Sequence, residues 1–178
     1  MGSSRGHADF ITALRHLANA RDAFEALAHD GLILGNDNHI GDIGEYWVRR
    51  YYELKGRFES YGTGKNCLFD IKLKGGDCVS VKTLTAWSHT GYGTPVRTDG
   101  GHWEILAAVY LDKILFPSRI AIVPLQELIS KDVFVKNATS RSLPERPTTA
   151  HPRFQWWPWL DDYLVRFKIK DDDMELVS

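Results

Sequence analysis

Apolar and polar positions alternate with period two on both sides of a glycine pair in the stretch FDIKLKGGDCVSVKTLT, residues 69–85. Phe69, Ile71 and Leu73 fall on one face, and Asp70, Lys72 and Lys74 on the other. Beyond Gly75-Gly76, Val79 and Val81 repeat the apolar face, while Cys78, Ser80 and Lys82 repeat the polar one. This pattern predicts a β-hairpin. For the apolar faces to coincide, paired positions must sum to an even number, because a one-residue slip turns a strand over. A three-residue loop at Gly75-Gly76-Asp77 meets that condition, setting Asp70 opposite Lys82 and Lys72 opposite Ser80.

Elsewhere the period lengthens. Phe10, Leu14, Leu17, Phe24 and Leu27 recur at helical spacing and predict an amphipathic helix over 8–30, stopped by Gly31. A second helix is expected from about Asp42 to Leu54, with Asp42 and Glu45 in a capping arrangement and Trp47, Tyr51 and Leu54 as its apolar stripe, Val48 and Tyr52 beside it. Gly41 and Gly44 would let its start approach a neighbouring backbone closely. Strands are expected near 57–61, over the apolar run 102–112, at 118–124 and over the alternating 162–170. Pro124 suits the first position of a short helix. Residues 86–101 hold four glycines and a proline and read as a long loop. Four prolines and a tryptophan cluster between 143 and 158 read as an irregular wrap, and the acidic terminus as a fraying tail.

A chain of 178 residues with 43% hydrophobic content suits one domain with a real core. Its expected parts are a helix at 5–31, a core at 40–130, and a wrap with a final strand at 131–178. No apolar run is long enough for a membrane span, and no export signal pattern opens the chain, so a cytoplasmic location is expected. Cys67 and Cys78 lack zinc-ligand spacing and read as reduced thiols. A net charge of −1 argues against a broadly basic nucleic-acid coat but permits a local basic patch.

The hairpin's acid and lysine admit a plain surface ion pair, contributing under about 1 kcal/mol. They also admit phosphodiester chemistry, which needs a divalent cation, an activated water and positive charge at the phosphorus. Magnesium or manganese takes oxygen ligands, and magnesium commonly needs only one or two protein carboxylates. Asp70 and the Val81 backbone carbonyl can supply two such oxygens, Lys82 can orient or deprotonate a water, and Glu45 is the candidate second carboxylate. Glu45 also suits the first helical turn on macrodipole grounds alone.

A glutamate on a helix, an aspartate on a strand, and then Ser80-Val81-Lys82 after a short turn resemble the PD-(D/E)XK nuclease superfamily, which includes restriction endonucleases and junction resolvases. The likeness covers roughly residues 40–130, and its motif is short and tolerant. It implies an α/β fold: a restriction-endonuclease-like mixed β-sheet flanked by helices, here with an extra N-terminal helix and a Trp/Pro-rich C-terminal wrap. It implies a magnesium-dependent endonuclease acting on DNA (RNA left open) in restriction, phage defence or repair. Asp70, Glu45, Lys82 and Ser80 would be the catalytic positions, and a homodimer would be the easiest route to double-strand cleavage. The sequence departs from the pattern at Ser80, where the superfamily usually has an acid or glutamine two residues before the lysine. Three consequences stay open: compensation by Glu45, weaker metal binding, or a nuclease-fold module that binds nucleic acid or a protein without turnover.

Further candidates surround the hairpin. Lys72 and Lys74, with Lys65, suit phosphate contact, though lysines on a solvated strand face are the ordinary case. Trp87, His89, Tyr92 and Arg97, with His102 just beyond, interleave aromatic and basic groups with glycine, as a nucleic-acid contact would. The tryptophans of FQWWPWLDDY are read as an apolar seal over the core or a dimer surface. No Walker loop, GxGxxG after a strand or GxSxG elbow is present.

Overall fold

In the computed structural model, residues 7–33, 39–62, 69–86, 92–95, 103–131 and 153–177 are described. Helix α1 spans His7–His29 and helix α2 spans His39–Leu54. Strands β1 (Phe58–Tyr61), β2 (Ile71–Leu73) and β3 (Cys78–Thr85) follow, then β4 (Tyr92–Pro95), β5 (Ile105–Leu111) and β6 (Pro117–Pro124). A short helix α3 (Leu125–Ser130), strand β7 (Arg153–Gln155), a 3-10 turn (Pro158–Tyr163) and strands β8 (Phe167–Lys170) and β9 (Asp173–Leu176) complete the order.

Five strands form one mixed sheet in the order β1-β2-β3-β5-β6. Its only parallel pair is β3–β5, with Val79 beside Ile105 and Lys82 beside Ala108; the other neighbours are antiparallel. The chain is therefore a mixed α/β protein. β4 pairs with β7, and β8 with β9, as separate two-stranded ribbons.

The sheet is covered on both faces. One face joins Ile71, Leu73, Val79, Val81, Ala107, Val109 and Leu111 to Trp47, Val48 and Tyr52 of α2. The other joins Leu84, Leu106, Ala108, Ala121 and Val123 to Leu128 of α3 and Leu160 of the 3-10 turn, with Trp156, Trp157 and Trp159 packed against it. The tryptophans thus seal the second core, as expected. Cys78, read as polar, packs against this core, and Leu84 on the same face of the strand is buried in it. Two-sided burial of a strand with a parallel partner accounts for that.

Helix α2 begins at His39, three residues before the expected start, so Asp42 lies inside the first turn instead of capping it. Its buried stripe runs through Gly44, Val48 and Tyr52 with Trp47, while Leu54 is exposed. Gly44 sits directly on β3. A Cβ built there would come 1.9 Å from Thr83 Oγ1 and 3.0 Å from Thr83 Cβ, so only a glycine lets the helix lie this close. Helix α1 joins the body at its C-terminal end. There Phe24 stacks on His39 at 4.7 Å, and the Arg49 guanidinium donates to the Gly31 and Leu32 carbonyls. Leu27, expected on the apolar stripe, is exposed, and the side chains of Phe10, Leu14 and Leu17 lie outside the described residues.

Other expectations are corrected. Pro124 is the N-cap of α3 rather than its first residue, and lies at the end of edge strand β6, where a missing N–H costs no ladder bond. The 86–101 stretch contains β4. The strand expected at 162–170 is shortened to 167–170 because the 3-10 turn extends to Tyr163. The acidic terminus is no fraying tail. Asp171 and Asp172 take positive φ in a two-residue loop, β9 folds back on β8, and Met174 is buried in the first core. Asp173 receives both arms of the Arg50 guanidinium, at 2.8 and 2.5 Å, which clasps this hairpin to α2.

Gly44→Ala is expected to lower stability by about 1–3 kcal/mol, the usual cost of overpacking a filled interface. Each kcal/mol should lower the melting temperature by about 2–4 °C in a chain of this size. Thr83→Ala should recover part of the loss in the double variant. Thermal denaturation of the four proteins checks this, and an unchanged single variant would mean the helix is not docked this closely.

Candidate functional site

The hairpin pairs Ile71 with Val79 and Lys72 with Cys78. The register is even, as parity demands, but displaced by two residues from the expected one, so Asp70 does not face Lys82. The loop is Lys74-Gly75-Gly76, with φ of 107° and 98° at the glycines, and Leu73 N–H donates to the Asp77 carbonyl. Contacts to Arg57, just before β1, hold it: Lys74 N–H donates to the Arg57 carbonyl, and the Arg57 guanidinium pairs with Asp77 at 3.0 Å. Phe69 also departs from expectation, packing into the second core while Ile71 and Leu73 fill the first.

This reversal happens at Asp70, a bend where regular pairing with β3 stops. The Asp70 carboxylate accepts the Val81 N–H at 2.5 Å through Oδ2, and Ser80 Oγ lies 3.5 Å from the same oxygen. The Lys82 ammonium donates to the Val81 carbonyl at 3.1 Å. That carbonyl has a second lone pair. Asp70, Ser80, Val81 and Lys82 are thus brought together, though through the β3 backbone rather than by cross-strand opposition.

Helix α2 adds Glu45, only 7% exposed, with Oε2 buried and making no hydrogen bond. Burial first, then the charges of Asp70 and Asp42, push its carboxyl from the ordinary 4.5 up to about 8, against the pull of the Lys82 ammonium. Burial also raises Asp70, opposed by Lys82, the Val81 N–H and the Ser80 hydroxyl. Sequence reasoning missed Asp42 as a member of this group. It is 0% exposed, one helical turn before Glu45, and its Oδ2 lies 4.0 Å from His39 Nδ1. The signal was available, since an i, i+3 pair shares a helix face. Ser80 is 5% exposed.

The outer candidates separate. Lys72 is committed to Glu59 at 2.8 Å, and Lys74 is an exposed turn residue. Tyr92 lies on β4, opposite Gln155, while its side chain, together with Lys65, Cys67, Trp87, His89, Arg97 and His102, lies outside the described residues. Among the described residues, Cys78 forms no disulfide.

Among the described residues, no group of three or more His, Cys, Asp or Glu side chains is arranged to hold a metal ion. Two carboxylates and a carbonyl form a smaller set. All are hard oxygen donors, and the buried, unbonded Glu45 Oε2 fits a cation of magnesium type. No described helix is long and apolar enough to cross a membrane. Compared with known proteins, the chain matches no family model, and a search of curated proteins gives no significant match.

The raised Glu45 carboxyl sets a pH dependence. Unfolded, it loses its proton near 4.5; folded, near 8. Between those values the native state alone holds the proton, so its stabilising contribution is complete below about pH 4.5 and is lost as pH rises to about 8. Glu45→Gln cannot ionise. In EDTA, wild type is expected to melt below this variant at pH 8, with the gap closing towards pH 5. Melting curves that stay parallel across the window would show that Glu45 carries its charge at no cost.

Proposed function

We propose that this chain is a metal-dependent nuclease of the PD-(D/E)XK superfamily, hydrolysing phosphodiester bonds in DNA. The observation that carries the reading is the convergence of Asp70, Glu45 and Lys82 at the point where β2 and β3 part. Two acids and a lysine share a desolvated place, and neither acid is paired with the lysine by a direct hydrogen bond. Buried carboxylates without matching positive charge are the chemistry of a cation site. The strand order supports a restriction-endonuclease-like core, because an antiparallel β1-β2-β3 meander continues into a parallel β5 and an antiparallel β6, with α2 across one face.

In this reading Asp70, Glu45 and the Val81 carbonyl would hold Mg2+ or Mn2+. When bound, the cation supplies Lewis acidity at the phosphate and a more acidic water. Lys82 holds the attacking water by its ammonium and stabilises charge growing on the phosphate oxygens. Water adds to phosphorus, one P–O ester bond breaks, and the products are a phosphate monoester and a free hydroxyl. Ser80 keeps its hydroxyl near Asp70 but contributes no charge, so the site would hold a cation more weakly than one with an acid there. One such site cuts one strand, and a homodimer would cut both. A second reading, a module that binds nucleic acid or a protein partner without turnover, is favoured by Ser80 and by the near-neutral net charge.

Metal titration of plasmid and single-stranded DNA cleavage separates the two readings. Asp70→Ala or Lys82→Ala is expected to abolish cutting while circular dichroism stays unchanged, and a folded mutant cutting at wild-type rate would remove that residue from the site. Ser80→Glu should lower the magnesium concentration needed for half-maximal cutting. Metal-independent binding with no cutting at any magnesium or manganese concentration would favour the binding module.

A further inference from the structure

We propose that Asp42 supplies, from helix α2, the negative charge that Ser80 does not, and that it positions the cation through a cation-bound water. The inference rests on the cation site of the nuclease reading and adds a positioning residue to it. Asp42 and Glu45 stand three residues apart on α2, so their side chains are neighbours on one helix face. Side chains on a helix lean towards its N-terminus, which tips Glu45 back towards Asp42. The Asp42 charge accordingly acts on Glu45, together with that of Asp70. Asp42 is 0% exposed and Glu45 7%, and among the described residues Glu45 Oε2 makes no hydrogen bond. A buried, unbonded carboxylate oxygen beside two further acids is a place for a positively charged ligand.

Charge selects the ligand. Ionised, Asp42, Glu45 and Asp70 carry three negative charges against the one positive charge of Lys82, and a divalent cation balances the difference. Without Asp42 the balance would fail by one charge, because Ser80, which lies 3.5 Å from Asp70, adds none. An acid at position 80 would restore it from the strand; Asp42 restores it from the helix. The three acids are not arranged to ligate one ion together. Magnesium takes one or two protein carboxylates and keeps several waters, so an acid beyond the direct ligands can hold the ion by accepting a hydrogen bond from one of those waters. Two simpler roles account for Asp42 less well. The helix macrodipole favours an acid in the first turn, but by less than the cost of burying its charge completely. His39 Nδ1 lies 4.0 Å from Asp42 Oδ2, beyond hydrogen-bond reach, and makes no hydrogen bond among the described residues.

The test reads metal binding by the full chain, with Mn2+ alone as the probe and the electron paramagnetic resonance signal of free Mn2+ as the readout. Asp42→Asn, Ser80→Glu, the double variant and His39→Asn are compared with wild type, beside Asp162→Asn, an exposed residue of the 3-10 turn, as a remote charge control. Each is first melted in EDTA. There Asp42→Asn is expected to melt at or above wild type, because it removes a buried charge. It should bind Mn2+ about 10–100-fold more weakly. Ser80→Glu should bind more tightly than wild type, and the double variant should recover most of what Asp42→Asn loses. His39→Asn and Asp162→Asn should bind as wild type does. A lower EDTA melting temperature for Asp42→Asn would make Asp42 a structural residue of the helix start and overturn the proposal. So would wild-type affinity in Asp42→Asn, a double variant no tighter than Asp42→Asn, or a matching loss in His39→Asn. If Asp42→Asn binds normally while Mn2+-dependent DNA cleavage is lost in Asp70→Ala, the nuclease reading stands and this one falls. If affinity follows the charge pattern but no DNA is cut, the role of Asp42 stands and the nuclease reading falls. A wild type that binds no Mn2+ overturns both.

Discussion

The close seating of α2 on β3 is the contact on which the rest of this molecule turns. Gly44 has no side chain to keep the helix away from Thr83, and that absence sets the distance between helix and sheet. Trp47, Val48 and Tyr52 then close the first core over Ile71, Val79 and Val81. The same seating brings Glu45, one residue after Gly44, into the group at the mouth of the hairpin. At the helix's other side Arg50 grips Asp173, so the C-terminal hairpin reinforces the docking from outside. One glycine thereby links core packing to candidate chemistry.

The cost of that arrangement is electrostatic. Asp42 and Glu45 are buried on one helix face, Asp70 stands beside them, and Lys82 is the cation that acts on the group. A protein selected only for stability would gain by replacing such residues with apolar ones of similar volume. Burial instead raises the Glu45 carboxyl and so favours its neutral form, and the Asp70 carboxylate is held by the Val81 backbone N–H. Burying these carboxylates works against stability, a pattern that marks functional-site candidates.

The second face of the sheet follows a different logic. It is closed by α3, the 3-10 turn and three tryptophans, with Arg119 lying over the Tyr110 and Trp156 rings at 4.8 and 4.4 Å. Val165 N–H donates to the Ile120 carbonyl, and Leu164 bridges Ala121, so the β6 edge is covered rather than left open to another chain. The C-terminal third is therefore a structural brace as well as the source of β7, which completes the ribbon beside β3.

Local patterns were enough to read the element types: the alternation around Gly75-Gly76, the helical spacing of α2, the apolar runs of β5 and β6, and the need for a glycine near the start of α2. They also marked Asp70, Lys82 and Glu45 as candidates, Lys82 and Glu45 on a strand and a helix and Asp70 at the bend that precedes β2. What they left undetermined depended on distant partners. Parity required only an even register, and in the one observed Arg57 of the neighbouring stretch holds Asp77 and Lys74. Asp42 looked like a cap, but the helix already includes His39, which stacks against Phe24 of α1. The acidic terminus looked unstructured because its order comes from Arg50, more than a hundred residues away. Hydrophobic period is a property of neighbours in sequence, whereas register, burial of charge and the closing of edges are properties of neighbours in space, and those were decided only when the chain packed.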